Sequence, residues 1–81
     1  MPHVIIKHFP ANLDRGARER LKSAIAEAIR GAFRCDPGAI SIALQDVPPD
    51  RWHEAVYEPD IQPHIGRLLK SPDYQSRSSN G

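Results

Sequence analysis

Residues 14–33 constrain this chain more than any other stretch. Ala17, Leu21, Ala24, Ile25, Ala28, Ile29, Ala32 and Phe33 recur at steps of three and four, which predicts a helix with a wide apolar stripe. Arg15, Arg18, Glu19, Arg20, Lys22, Glu27 and Arg30 fall mostly on the other side. Asp14 stands where an N-cap or an acidic first-turn residue belongs, at the positive end of the helix dipole. Gly31 is the one weak helix former near the end. Asp36-Pro37-Gly38 is turn chemistry and stops the helix. A stripe this wide needs something to cover.

Two β-prone runs flank it. Val4, Ile5 and Ile6 are contiguous and β-branched, so His3 to Phe9 reads as a strand buried on both faces. Pro10 ends that run, because proline cannot donate to a ladder. After the helix, Ala39 to Gln45 alternates, with Ile40, Ile42 and Leu44 on one side and Ser41, Ala43 and Gln45 on the other. Strand, helix, strand predicts a βαβ unit with parallel strands and a right-handed crossover, an α/β (α+β) fold. One helix covers one face. The other face, carrying Ala43 and part of the Val4-Ile5-Ile6 run, is left open, and two strands are too few to stand alone. At 81 residues the chain is also small enough to need a staple. Pairing with a copy of itself meets both needs, so a homodimer is expected, with a hexamer as the alternative.

The later chain is less regular. Val47-Pro48-Pro49-Asp50 reads as a loop, followed by Arg51-Trp52-His53. Glu58-Pro59-Asp60 offers a helix start, and Ile61, Ile65, Leu68 and Leu69 mark a second, shorter helix that stops at Ser71-Pro72. Pro63 fits it only if the helix begins near Asp60. Residues 1–72 are therefore expected to form a single domain, with 73–81 a frayed, flexible tail whose one anchor is Tyr74.

Composition excludes several function classes. Eleven Lys and Arg against ten Asp and Glu give no basic footprint for nucleic acid. No apolar run approaches membrane-spanning length, and the N-terminus lacks the basic and apolar regions of a secretory signal. Cys35 is the single cysteine, so an intrachain disulfide and a Cys-based metal site are both ruled out. His3, His8, His53 and His64 show no paired ligand spacing, and no metal is expected. A reducing compartment, the cytoplasm, follows from the lone thiol.

Among candidate nucleophiles and bases, few survive. No G-x-S-x-G element is present, and the five glycines form no phosphate-cradling loop. Cys35 follows a helix C-terminus, not the positive end where reactive cysteines are found, so it reads as inert. What remains is the start, Met1-Pro2. An initiator Met before a small residue is normally trimmed, and the proline nitrogen then becomes a free secondary amine instead of an amide. Model α-amino groups titrate at about 7.7–8. A proline amine is somewhat more basic, and an apolar wall or nearby cations would bring it down toward neutrality. A base poised near operating pH is what proton abstraction beside a carbonyl requires. One group that takes a proton and returns it at another atom is a tautomerase.

Pro2-His3-Val4-Ile5-Ile6-Lys7, then Phe9-Pro10 with Leu13-Asp14, then Ser41-Ile42-Ala43-Leu44-Gln45 resemble the 4-oxalocrotonate tautomerase superfamily. The resemblance is closest to its small dimeric bacterial branch active on phenylenolpyruvate-type enols. Ile61 to Tyr74, with Pro63, Leu69-Lys70 and Pro72, is similar to that branch too. The resemblance implies that Pro2 is the general base and that no cofactor is used. It also marks departures. Asn12 and Ser41 occupy positions where the hexameric founding enzymes carry carboxylate-binding arginines, and Trp52 falls at the pocket aromatic. A monocarboxylate 2-oxo acid with an aromatic or alkyl group is then the expected substrate. Trp52 is open to two readings, a core or subunit anchor and a pocket wall. Arg51 is a carboxylate clamp or a solvated surface residue. The missing arginines also leave room for a catalytically silent binding module of the same fold.

Overall fold

A computed structural model describes residues 1–74. The chain divides into two compact units, Met1–Asp46 and Val47–Gly81.

In the first unit, strand β1 (His3–His8) and strand β2 (Ser41–Asp46) flank helix α1 (Arg15–Phe33). The strands pair in parallel, with His3 opposite Ser41, Ile5 opposite Ala43 and His8 opposite Asp46. The expected βαβ unit is therefore present, and its sheet has two strands. Val4, Ile6, Ile42 and Leu44 are half-buried, whereas His3, Ile5, Ser41, Ala43 and Gln45 are exposed. The alternation predicted for β2 holds. On β1 it replaces the two-sided burial, because Ile5 is 52% exposed in the single chain.

Helix α1 begins where its sequence says. Asp14 is in extended conformation and its carboxylate accepts from the Ala17 N–H at 2.8 Å, so one of the unpaired first-turn donors is satisfied. Asp14→Ala should cost about 1 kcal/mol of stability in a denaturant melt. The buried stripe is narrower than the periodicity predicts. Ala17, Leu21, Ile25, Ala26 and Ile29 are half-buried, while Ala24, Ala28, Ala32 and Phe33 are exposed, because a two-stranded sheet is not wide enough to cover more of the helix. Glu27 and Arg30 pair on the outer surface at 2.6 Å. The hydrogen bond and charge of Arg30 hold the Glu27 carboxyl below its ordinary range, and Glu27 raises Arg30 in return. Both groups are solvated, so the pair adds little to stability.

The helix stops earlier than Asp36-Pro37-Gly38. Arg34 takes the left-handed conformation (φ 54°, ψ 50°) and its N–H donates to the Arg30 carbonyl, a C-cap more often filled by glycine. Asp36 then accepts from the Gly38 N–H and starts a 3-10 turn over Pro37–Ala39 that feeds β2. Inside α1, a Cβ added at Gly31 would meet nothing within 4 Å. Gly31→Ala should therefore stabilise the fold by about 0.5–1 kcal/mol, read as a rise in the denaturant midpoint at unchanged m-value.

The second unit corrects the reading of the later chain. The stretch read as a loop contains a 3-10 turn over Pro49–Arg51, and helical structure starts well before Glu58. A π-helix spans His53–Ile61 with Pro59 inside it, and a 3-10 segment spans Gln62–Arg67. In an α-helix the Pro59 ring would clash with the carbonyl four residues back, and the wider π turn is consistent with relief of that clash. Pro63 sits in the first turn of the 3-10 segment, where its missing donor is tolerated. Ile65 and Leu69, predicted to mark the apolar side of a helix, are 51% and 105% exposed. Val47 and Val56 are the buried apolar residues among those described. The Trp52 indole donates to the Tyr74 hydroxyl at 3.1 Å, and Tyr57 lies against both His53 and Tyr74. Tyr74 is thus an anchor, as expected, and residues 75–81 of the predicted tail lie outside the described residues.

No helix among the described residues is long and apolar enough to cross a membrane.

Candidate active site

The first unit builds the surroundings of Pro2 from two strand starts. Pro2 is half-buried and leads directly into β1. Its carbonyl accepts from the Ser41 N–H at 3.2 Å. Parallel pairing continues through the next residues, so this bond ties the first peptide of β1 to the start of β2. Met1 is 99% exposed. The proline is fixed while the residue before it is open to solvent.

One residue further, the His3 Nδ1 lies 2.6 Å from the Ser41 hydroxyl, and both side chains are exposed. Their positions are opposite in the strand register, on the sheet face that α1 leaves open. Ser41 is among the residues expected from the sequence, and His3 is not. The signal that could have found it is the shared strand parity of His3 and Ser41 once the parallel register is drawn.

The other sequence-predicted residues belong to other segments. Asn12 is exposed in the connection after β1, at the strand end away from Pro2. The intervening strand is roughly 20 Å long at about 3.3 Å per residue, so one chain does not bring Asn12 and Pro2 together. Trp52 and Arg51 belong to the second unit. Trp52 is half-buried and bonded to Tyr74. Arg51 is exposed and its Nε lies 2.6 Å from the Glu54 carboxylate.

At the far end of the strands, His8 donates from Nδ1 to the Phe9 carbonyl at 2.6 Å. Its Nε2 lies 3.4 Å from the Asp46 carboxylate, too poorly aligned for a hydrogen bond. Two shallow grooves run between α1 and β2. One, of about 300 Å³, is lined by Lys22, Ser23, Ala26, Pro37, Ile40 and Ile42. The other, of about 240 Å³, is lined by Arg18, Glu19, Leu21, Lys22 and Ile42. Neither has Pro2 in its lining.

No family model matches the chain. Curated proteins do. Tautomerase PptA of Pectobacterium carotovorum subsp. carotovorum (strain PC1) is 36% identical over 74 residues, which cover 91% of this chain and 97% of the relative. Tautomerase PptA of Pectobacterium atrosepticum is 35% identical over the same coverage. Tautomerase PptA of Shigella sonnei (strain Ss046) is 36% identical, again over 91% and 97%. The chain belongs to the tautomerase family. Its resemblance to the 4-oxalocrotonate tautomerase superfamily is thereby established, and it is an enzyme of the isomerase class. The parallel pairing of β1 and β2 around α1 fits the tautomerase β-α-β fold.

Proposed function

We propose that this tautomerase interconverts the enol and keto forms of a phenylenolpyruvate-like 2-oxo acid, with Pro2 as its acid–base after removal of Met1. The observation that carries the reading is the Ser41 N–H bonded to the Pro2 carbonyl, which would fix a terminal amine at a strand start in a chain of this family. The neutral amine takes the proton from the enol hydroxyl. The O–H pair forms the carbonyl, and the carbon–carbon double-bond pair takes a proton from the ammonium at C3. Substrate and product are isomers, so this proton transfer needs no cofactor. Ser41, opposite His3 in the same unit, is the polar group considered for the substrate's oxygens.

The working form is a homodimer in which a second copy covers the face bearing Ile5 and Ala43. Support comes from the exposure of Ile5 and from a sheet of only two strands, too small for independent stability. Residues 1–72 act as one domain within it. The cytoplasm suits a chain whose Cys35 is free.

The test is ketonisation of phenylenolpyruvate by the native protein and by Pro2→Ala, with intact-mass measurement of both. Loss of Met1 and a large fall in rate are expected. Equal rates, or an attached Met1 in fully active material, would remove the mechanism.

A further inference from the structure

We infer that His3, held by Ser41, anchors the substrate's carboxylate beside Pro2. This rests on the reading of Pro2 as the base. On sequence grounds the candidate clamp for that carboxylate is Arg51, and His3 has no assigned role.

The hydrogen bond between His3 Nδ1 and Ser41 Oγ, at 2.6 Å, leaves the pair with a donor to spare in every protonation state. If the hydroxyl donates to Nδ1, the ring carries its proton on Nε2 and presents that N–H outward. If Nδ1 donates to the hydroxyl oxygen, the hydroxyl hydrogen is left for a ligand. In the imidazolium form both outward donors are present and the ring is cationic. An anionic oxygen is therefore met by a donor whatever the tautomer, and hydrogen bonds to charged groups are the stronger kind.

Position favours the same role. His3 is the residue after Pro2, and consecutive Cα atoms are about 3.8 Å apart. In a 2-oxo acid the carboxylate carbon is two bonds from C3, the atom that must meet the amine. The Ser41 N–H and hydroxyl are already engaged with Pro2 and His3, so both partners of the pair are tied to one backbone position. Lys7 is the other cationic residue with the strand parity of His3. At four residues further along, it lies roughly 13 Å away, too far to share a small substrate's carboxylate with an amine at Pro2.

The experiment measures KM and kcat for phenylenolpyruvate, and Kd for the unreactive carboxylate phenylacetate, in the native enzyme and in four variants. His3→Phe is expected to raise KM and Kd about tenfold, with the change in KM rather than kcat. His3→Gln should recover most of that loss, because its amide N–H replaces the Nε2 donor. Ser41→Ala, which frees the ring to rotate, should fall between. Pro2→Ala should bind phenylacetate as the native enzyme does while losing turnover. Unchanged KM and Kd in His3→Phe, or a loss confined to kcat, would overturn the assignment. If His3→Phe does not fold by circular dichroism, an unchanged Kd in Ser41→Ala overturns it instead. Full turnover by Pro2→Ala alongside a raised KM in His3→Phe would defeat the reading of Pro2 and leave the carboxylate anchor standing.

Discussion

Pro2→Ala is expected to lower kcat for enol–keto conversion by about 10²- to 10⁴-fold, the span typical of a positioned acid–base group. The fall should not be complete. Alanine is also small enough to release Met1, so the variant keeps a terminal amine, but a primary one without the ring that sets φ near −65°. What is lost is the orientation of the nitrogen and its basicity, and both act on proton transfer in the transition state. The KM should move little, because the proline nitrogen is not asked to hold the ground-state substrate. The measurement is steady-state ketonisation at saturating substrate, with intact mass recorded on the same samples. A kcat within about threefold of native would sink the mechanism, being far less than general acid–base catalysis supplies. It would fit instead the silent binding module that the absent arginines at Asn12 and Ser41 allow.

Ile5→Asp should convert the protein from a folded dimer to a largely unfolded monomer. Ile5 is 52% exposed in one chain, opposite Ala43, on the face that helix α1 does not cover. If a second copy covers it, a carboxylate there is taken out of water with no partner, at a cost of several kcal/mol. The isolated unit has little stability to lose. Its sheet has two strands, and the buried apolar residues among those described, Val47 and Val56, both lie outside it. Native protein should elute at twice the 9.1 kDa chain mass, or six times if the hexamer forms, and its melting temperature should fall on dilution, as association linkage requires. The Ile5→Asp variant should elute at the chain mass or aggregate, with helical circular dichroism lost. A native protein that runs at 9.1 kDa with a concentration-independent melt would defeat the dimer.

Much of the first unit was legible because its signals are local. The cap at Asp14, the stripe from Ala17 to Ile29 and the alternation from Ile40 to Gln45 each depend on spacing along the chain, and each appears in the structure. The second unit is less legible for an equally physical reason. By sequence Pro49 belongs to a loop, Pro59 to a helix start and Pro63 to the first turn of a helix beginning near Asp60. The chain accommodates all of them in successive 3-10, π and 3-10 turns, whose periods differ from the 3.6-residue pattern used to find helices. Ile65 and Leu69 therefore matched a helix period without lying on a buried face.

The site divides along the same line. By itself the sequence determined the acid–base candidate, because a proline nitrogen is ionisable only at a chain start, and it determined the parallel frame, because a crossover helix between two strands leaves them pointing the same way. Only the tertiary structure decided which groups stand around that start. Register is a property of two strands together, so no local pattern pairs His3 with Ser41 across an intervening helix or places the Ser41 N–H on the Pro2 carbonyl. The same geometry sends Asn12 to the far end of β1.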